Sequence, residues 1–186
     1  MTKLEAALVE VASLLQELSI PYILIGGLAV SMWGEARATL DADFSLWVEP
    51  EDLPEIVRRI SARLKAIPSD PVSFASASRV LPVNASNGIR ADLVFASLPA
   101  EQKMIGRAQP KTVREATIMV ASVEDLIWMK LMSERQKDIE DARRLIRRHA
   151  RSLDKGYLEP MLREISEALA RGDILEIYNL ELERHP

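Results

Sequence analysis

From Asp41 to Val48 the chain alternates in character, with Asp41, Asp43 and Ser45 on one side and Ala42, Phe44, Leu46 and Val48 on the other. Successive side chains of a strand point to opposite faces, so this pattern predicts a strand with one apolar face packed against helices. Its other face begins with two carboxylates. Their like charges repel at this spacing unless a cation sits between them, which makes the pair a candidate divalent-metal site. Taken alone, such a pair is more often two solvated turn acids.

A second acid changes the odds. Residues 79 to 84 and 89 to 95 flank Ala85-Ser86-Asn87-Gly88 and read as a hairpin. On its second arm Arg90, Asp92 and Val94 share one face, opposite Ala91, Leu93 and Phe95. Asp92 is thus a lone acid in an apolar run, unfavourable to bury without a partner. If that arm lies beside the first strand, Asp92 completes a three-carboxylate cluster able to hold two metal ions about 4 Å apart.

Leu4, Leu8, Val11, Leu14, Leu15 and Leu18 recur at helical spacing, predicting a helix over 3–19 that Pro21 ends. Tyr22 to Ile25 reads as a buried strand closed by Gly26-Gly27, with a brief helix from Leu28 to Trp33. Such a turn brings backbone N–H groups and a helix dipole toward a bound anion. Arg37, just ahead of the acidic pair, is placed to neutralise a phosphate oxygen. Residues 51–66 read as a helix and 117–121 as a further strand. Beyond Ser122 the pattern is helical throughout: 122–133, 136–150, 155–171 and a last piece after Gly172. The expected fold is α/β (α+β), a small mixed β-sheet flanked by helices over residues 1–121, with a helical C-terminal extension over 122–186.

Composition narrows the chemistry. The 186 residues include no cysteine and only two histidines, His149 and His185. Thiolate and histidine metal centres are therefore excluded, and any metal must be oxygen-bound, which points to Mg2+ or Mn2+. A net charge of -4 argues against a general nucleic-acid coat protein. No apolar run approaches the roughly 18 residues needed to cross a bilayer, so no membrane association is expected. Glu5 and Glu10 interrupt the stretch where a signal peptide would be apolar, so a cytoplasmic protein is the simplest expectation.

The C-terminal helices hold buried-face charges. Lys130 projects into the stripe of Val123, Leu126, Ile127 and Leu131, and Asp138 falls in the stripe of Ala142, Leu145, Ile146 and His149. Such charges need each other or a ligand. The structural alternative is an ion pair, shared with Arg135 or Asp141. Arg143, Arg144, Arg147, Arg148 and Arg151 lie on the opposite face, a solvated surface by default or a contact for an RNA backbone or an acidic protein.

The stretch Ile25-Gly26-Gly27-Leu28-Ala29-Val30, then Gly34, Arg37, Thr39, Asp41, Asp43 and Asp92, resembles the nucleotidyltransferase superfamily with its DNA polymerase β-like fold. The nearest branch is the small bacterial one of abortive-infection and related toxin-type nucleotidyltransferases. The resemblance implies that Gly26 and Gly27 grip a nucleoside triphosphate, that Asp41 and Asp43 hold both metals, and that Asp92 holds one metal and promotes attack by an acceptor hydroxyl. It also implies that Lys130 reaches the triphosphate, with Asp138 orienting it. Many members carry a serine after the first glycine, where this chain has Gly27-Leu28. The expected activity is metal-dependent transfer of a nucleoside monophosphate from an NTP to a hydroxyl of RNA, protein or a small molecule, within a toxin–antitoxin system with an antitoxin-like protein partner. The alternative is a non-catalytic nucleotide-binding or protein-interaction module of the same fold. A glycosyltransferase is a distant third, because the chain is short for a sugar-nucleotide domain.

Overall fold

A computed structural model describes residues 2–34 and 39–185. These fall into two compact units. One holds residues up to Ala29 and from Thr39 to Ala121; the other holds Val30 to Gly34 and everything from Ser122 on.

The first unit opens with α1 (Lys3–Glu17), started by a reciprocal cap. The Thr2 hydroxyl accepts the Glu5 N–H at 3.1 Å, and the Glu5 carboxylate accepts the Thr2 N–H at 2.8 Å. Its buried stripe includes Leu8, Val11 and Leu15. Then follow β1 (Tyr22–Ile25), α2 (Gly26–Met32), whose last residues from Val30 belong to the other unit, β2 (Ala42–Trp47) and α3 (Leu53–Ser61). Beyond these lie β3 (Lys65–Ala66), α4 (Pro71–Ser78), β4 (Val80–Asn84), β5 (Arg90–Ala96), α5 (Pro99–Gly106), β6 (Gln109–Val113) and β7 (Ala116–Val120). The strands form one mixed sheet in the order β3-β4-β5-β2-β1-β7-β6. β2 is central, antiparallel to β1 and parallel to β5. Ala42, Phe44 and Leu46 are fully buried, as the alternation predicts for the apolar face.

Three features depart from the sequence reading. The helix expected over 51–66 ends at Ser61, and Lys65–Ala66 pairs instead with Val83 and Asn84, so strand pairing overrides helical spacing. Helices α4 and α5 gave no periodic signal because each is short; proline opens both, and an Asp70 cap also starts α4. Edge strand β6 is polar and contains Pro110, which is tolerated where one side of a strand needs no donor.

The second unit carries α6 (Val123–Met132), α7 (Gln136–His149), α8 (Lys155–Ala168) and α9 (Asp173–Arg184). Around a core of Leu126, Ile127, Leu145, Ile146, Leu158, Leu162 and Tyr178 it buries Glu124, Asp125, Asp138, Asp141 and Glu181. Buried carboxylates must be answered by donors. Tyr157 and Ser122 donate to Asp125 at 2.7 and 2.8 Å, and the Asp154 N–H donates to Glu124 at 3.0 Å. Arg143 and Arg147 meet Glu181 at 2.8 and 3.2 Å, tying α7 to α9. The ammonium of Lys130 lies 2.5 Å from Asp138 and 3.2 Å from Asp141, linking α6 to α7.

Burial alone would push the Asp138 carboxyl up, but hydrogen bonds from Lys130 and Ser133 and the charges of Lys130 and Arg135 hold it below its ordinary 3.8. A lowered value stabilises the fold fully above the ordinary pKa, and that contribution is lost as pH falls through the folded value. Wild type should therefore melt progressively lower as pH drops below about 4, with a shallower drop in Asp138→Asn. Lys130→Met leaves two buried carboxylates without their shared cation. It should lower unfolding free energy by roughly 3–5 kcal/mol in a denaturant titration at neutral pH.

Candidate active site

The turn from β1 into α2 is built around one carboxylate. Ile25, the last residue of β1, is the register partner of Asp43 on β2. Gly26 follows with φ +68°, a left-handed conformation that other residues adopt only at a cost. A Cβ at Gly26 would overlap Asp43 Oδ2 and stand 2.8 Å from its Cγ. Glycine is thus required twice over, by the backbone and by the acid beside it. Gly27 continues into α2.

Asp43 is in turn the partner of Asp92 across the parallel β2–β5 ladder, with Ala42 beside Ala91 and Phe44 beside Leu93. Paired residues on neighbouring strands share a face about 4.8 Å apart, so the ladder brings Asp43 and Asp92 together. Asp41 lies one residue before β2, and its Oδ1 accepts the Thr39 hydroxyl at 2.9 Å. All three acids are half-buried. Arg37 lies outside the described residues.

Sequence reasoning assigned Arg90 no role. It shares the face of Asp92, and its Nε and Nη2 donate to the two carboxylate oxygens at 2.9 and 3.1 Å. Its pKa is raised, first by the hydrogen bond and charge of Asp92 and then by the charges of Asp41 and Asp43. One guanidinium therefore feels all three acids. The signal in the sequence was the two-residue spacing of Arg90 and Asp92, which places both on one side of a strand. Ser45 was also passed over. It is buried on the side of Asp43, and its Oγ makes no hydrogen bond among the described residues.

As the side chains stand, no group of three acids or histidines among the described residues is disposed to hold a metal ion. The donor chemistry nevertheless fits one. The acids offer only hard oxygen ligands, two of them sit on adjacent strands, and a third adjoins them in sequence.

In the helical unit Lys130 and Asp138 are brought together as a buried pair, with Asp141 and Arg135 sharing it. His149 Nε2 lies 3.1 Å from the Trp33 carbonyl, and the two rings meet edge to face at 5.5 Å. Of the arginine cluster, Arg143 and Arg147 serve Glu181, while Arg144 and Arg147 serve Glu140 at 3.2 Å. A cavity of about 530 Å³ is lined by Arg147, Arg148, Arg151, Arg184 and His185, with Ala150 and Ser152.

Two glycine substitutions separate strain from contact. Gly88, at φ +81°, has nothing near its would-be Cβ, so Gly88→Ala should cost about 1–2 kcal/mol, the left-handed penalty alone. Gly26→Ala adds displacement of the Asp43 carboxylate and should melt measurably lower than Gly88→Ala in the same thermal scan.

Comparison with known proteins bears on both fold and activity. Residues 11–181 match the family model described as nucleotidyl transferase AbiEii toxin, type IV TA system. No curated protein matches the sequence. Among solved structures, the solution structure of the antibiotic-resistance factor ANT(2'')-Ia is similar, with TM-score 0.59 at 15% identity, covering 89% of this chain and 92% of that one. An antigenic nucleotidyltransferase-like protein from Paracoccidioides brasiliensis gives TM-score 0.54 at 15% identity, covering 94% and 91%. The lincosamide antibiotic adenylyltransferase LnuA, lincomycin-bound, gives 0.51 at 14%, covering 78% and 96%. At these identities the structural likeness establishes the fold, and the family match establishes the family. The chain belongs to the AbiEii family, the nucleotidyltransferase toxins of type IV toxin–antitoxin systems.

Proposed function

We propose that this nucleotidyltransferase works through Asp41, Asp43 and Asp92, which hold divalent metal ions, Mg2+ or Mn2+, while it moves a nucleoside monophosphate from an NTP to a hydroxyl acceptor. The observation that carries the reading is the β2–β5 register, in which Asp43 and Asp92 are partners beside the Gly26 turn. Bound there, divalent ions would lower the acceptor's pKa and offset charge on the phosphates. Asp92 accepts or steers the proton of the acceptor hydroxyl, whose oxygen bonds to the α-phosphorus as the bond to pyrophosphate breaks. Gly26 and Gly27 let the backbone come close to the triphosphate, and Arg37 neutralises a phosphate oxygen. Membership of a toxin–antitoxin family supports a cognate antitoxin as the protein partner.

For Lys130 and Asp138, burial favours fixing α6 to α7 over gripping the nucleotide. On that reading NTP affinity in Lys130→Met follows the folded fraction. A loss of affinity in fully folded protein would restore the phosphate role.

The test is incubation of each labelled NTP with Mg2+ or Mn2+ and total RNA, protein or small-molecule hydroxyls, scoring labelled product and pyrophosphate. Wild type should label one acceptor class. Asp43→Asn, folded by its melting curve, should be slower by about 100-fold or more. Undiminished activity in Asp43→Asn would remove the acids from the mechanism. Wild-type NTP binding without transfer to any acceptor would favour the non-catalytic alternative.

A further inference from the structure

The three acids cannot sit together uncompensated, because half-buried like charges at strand spacing repel. Asp41 is answered by a neutral hydroxyl, that of Thr39. Asp92 is answered by a cation that occupies both of its oxygens. A bidentate guanidinium holds a carboxylate in a fixed plane and orientation. A divalent ion drawing on the same oxygens would stand against that positive charge, so the two compete for Asp92.

We propose that Arg90 is a built-in counter-ion for the acid cluster, clamping Asp92 in the metal-free protein and yielding it when a divalent cation is captured by Asp41, Asp43 and Asp92. The inference rests on the reading of these acids as the metal site. As the side chains stand, one of the three acids is turned into the fork of Arg90. The clamp is also light. The Arg90 side chain is 54% exposed against 21% for Asp92, so the guanidinium can swing into solvent with little packing lost. Arg90 also comes from the same strand as Asp92, so it stays tethered beside the acids after release.

Calorimetric titration with Mn2+ alone tests this on wild type, Arg90→Gln, Arg90→Lys and the double variant Arg90→Gln/Asp92→Asn. Arg90→Gln should bind Mn2+ roughly 10-fold tighter than wild type, from loss of an exposed ion pair and of one positive charge near the ion. Arg90→Lys, which keeps the charge without the fork, should fall between them, and the double variant should lose the gain. Melting curves add a second readout. Arg90→Gln should melt below wild type in chelator, because the acids lose their counter-ion, and should gain more from saturating Mn2+ than wild type does. A merely structural ion pair would lower the melting temperature in both buffers and leave Mn2+ affinity unchanged. Equal or weaker Mn2+ binding by folded Arg90→Gln overturns the inference, with the metal-site reading intact if wild-type binding is lost in Asp43→Asn. Absence of Mn2+ binding in wild type and every variant overturns both.

Discussion

β2 lies at the middle of the sheet, paired along its length with β1 on one side and with β5 on the other. Both pairings impose the same face on Asp43. The first sets it opposite Ile25, at the mouth of the Gly26 turn; the second sets it beside Asp92. A slip of one residue in either ladder would turn every side chain of β2 over, sending Phe44 and Leu46 to the polar side. The burial of Ala42, Phe44 and Leu46 therefore holds the acids in register. Core packing and site geometry are one constraint, seen from the two faces of a single strand.

The two units treat negative charge differently. In the helical unit each of the buried acids Asp125, Asp138 and Glu181 has short contacts to hydroxyls or cations held by neighbouring helices. Such groups are satisfied by the protein itself, and disturbing them disturbs the fold. In the sheet, Asp41, Asp43 and Asp92 remain half-buried, and Asp92 is met by an arginine whose side chain is largely exposed. An ion pair held by an exposed side chain is one that a ligand can displace with little cost to the packing.

Much of this was legible in the residues because the signals were local. Strict alternation from Ala42 to Leu46 and from Ala91 to Phe95 marks strands with one buried face, and the Asn84–Arg90 pairing closes the hairpin around Ala85-Ser86-Asn87-Gly88. Stripes of leucine and isoleucine marked α1 and the four C-terminal helices, where sequence spacing alone sets the apolar face. Elements without an apolar repeat were not legible. β6 is polar and owes its place to β7, and β3 owes its two residues to β4. Local propensity had nothing to report there, since long-range pairing alone stabilises those segments.

The residues by themselves determined the chemistry available: carboxylates as the potential metal ligands in a chain without cysteine, and a glycine turn ahead of them. They also determined that Lys130 and Asp138 sit on apolar faces and need partners. Which partners were chosen is a property of three dimensions. That Asp43 stands beside Asp92 follows from a parallel ladder between strands separated in sequence by α3, α4, β3 and β4. That Lys130 is shared by Asp138 and Asp141 follows from the packing of α6 on α7. That Arg143 and Arg147 meet Glu181 follows from the packing of α7 on α9. Side-chain identity is local, whereas electrostatic compensation depends on distance through space, and only the tertiary fold fixes that distance.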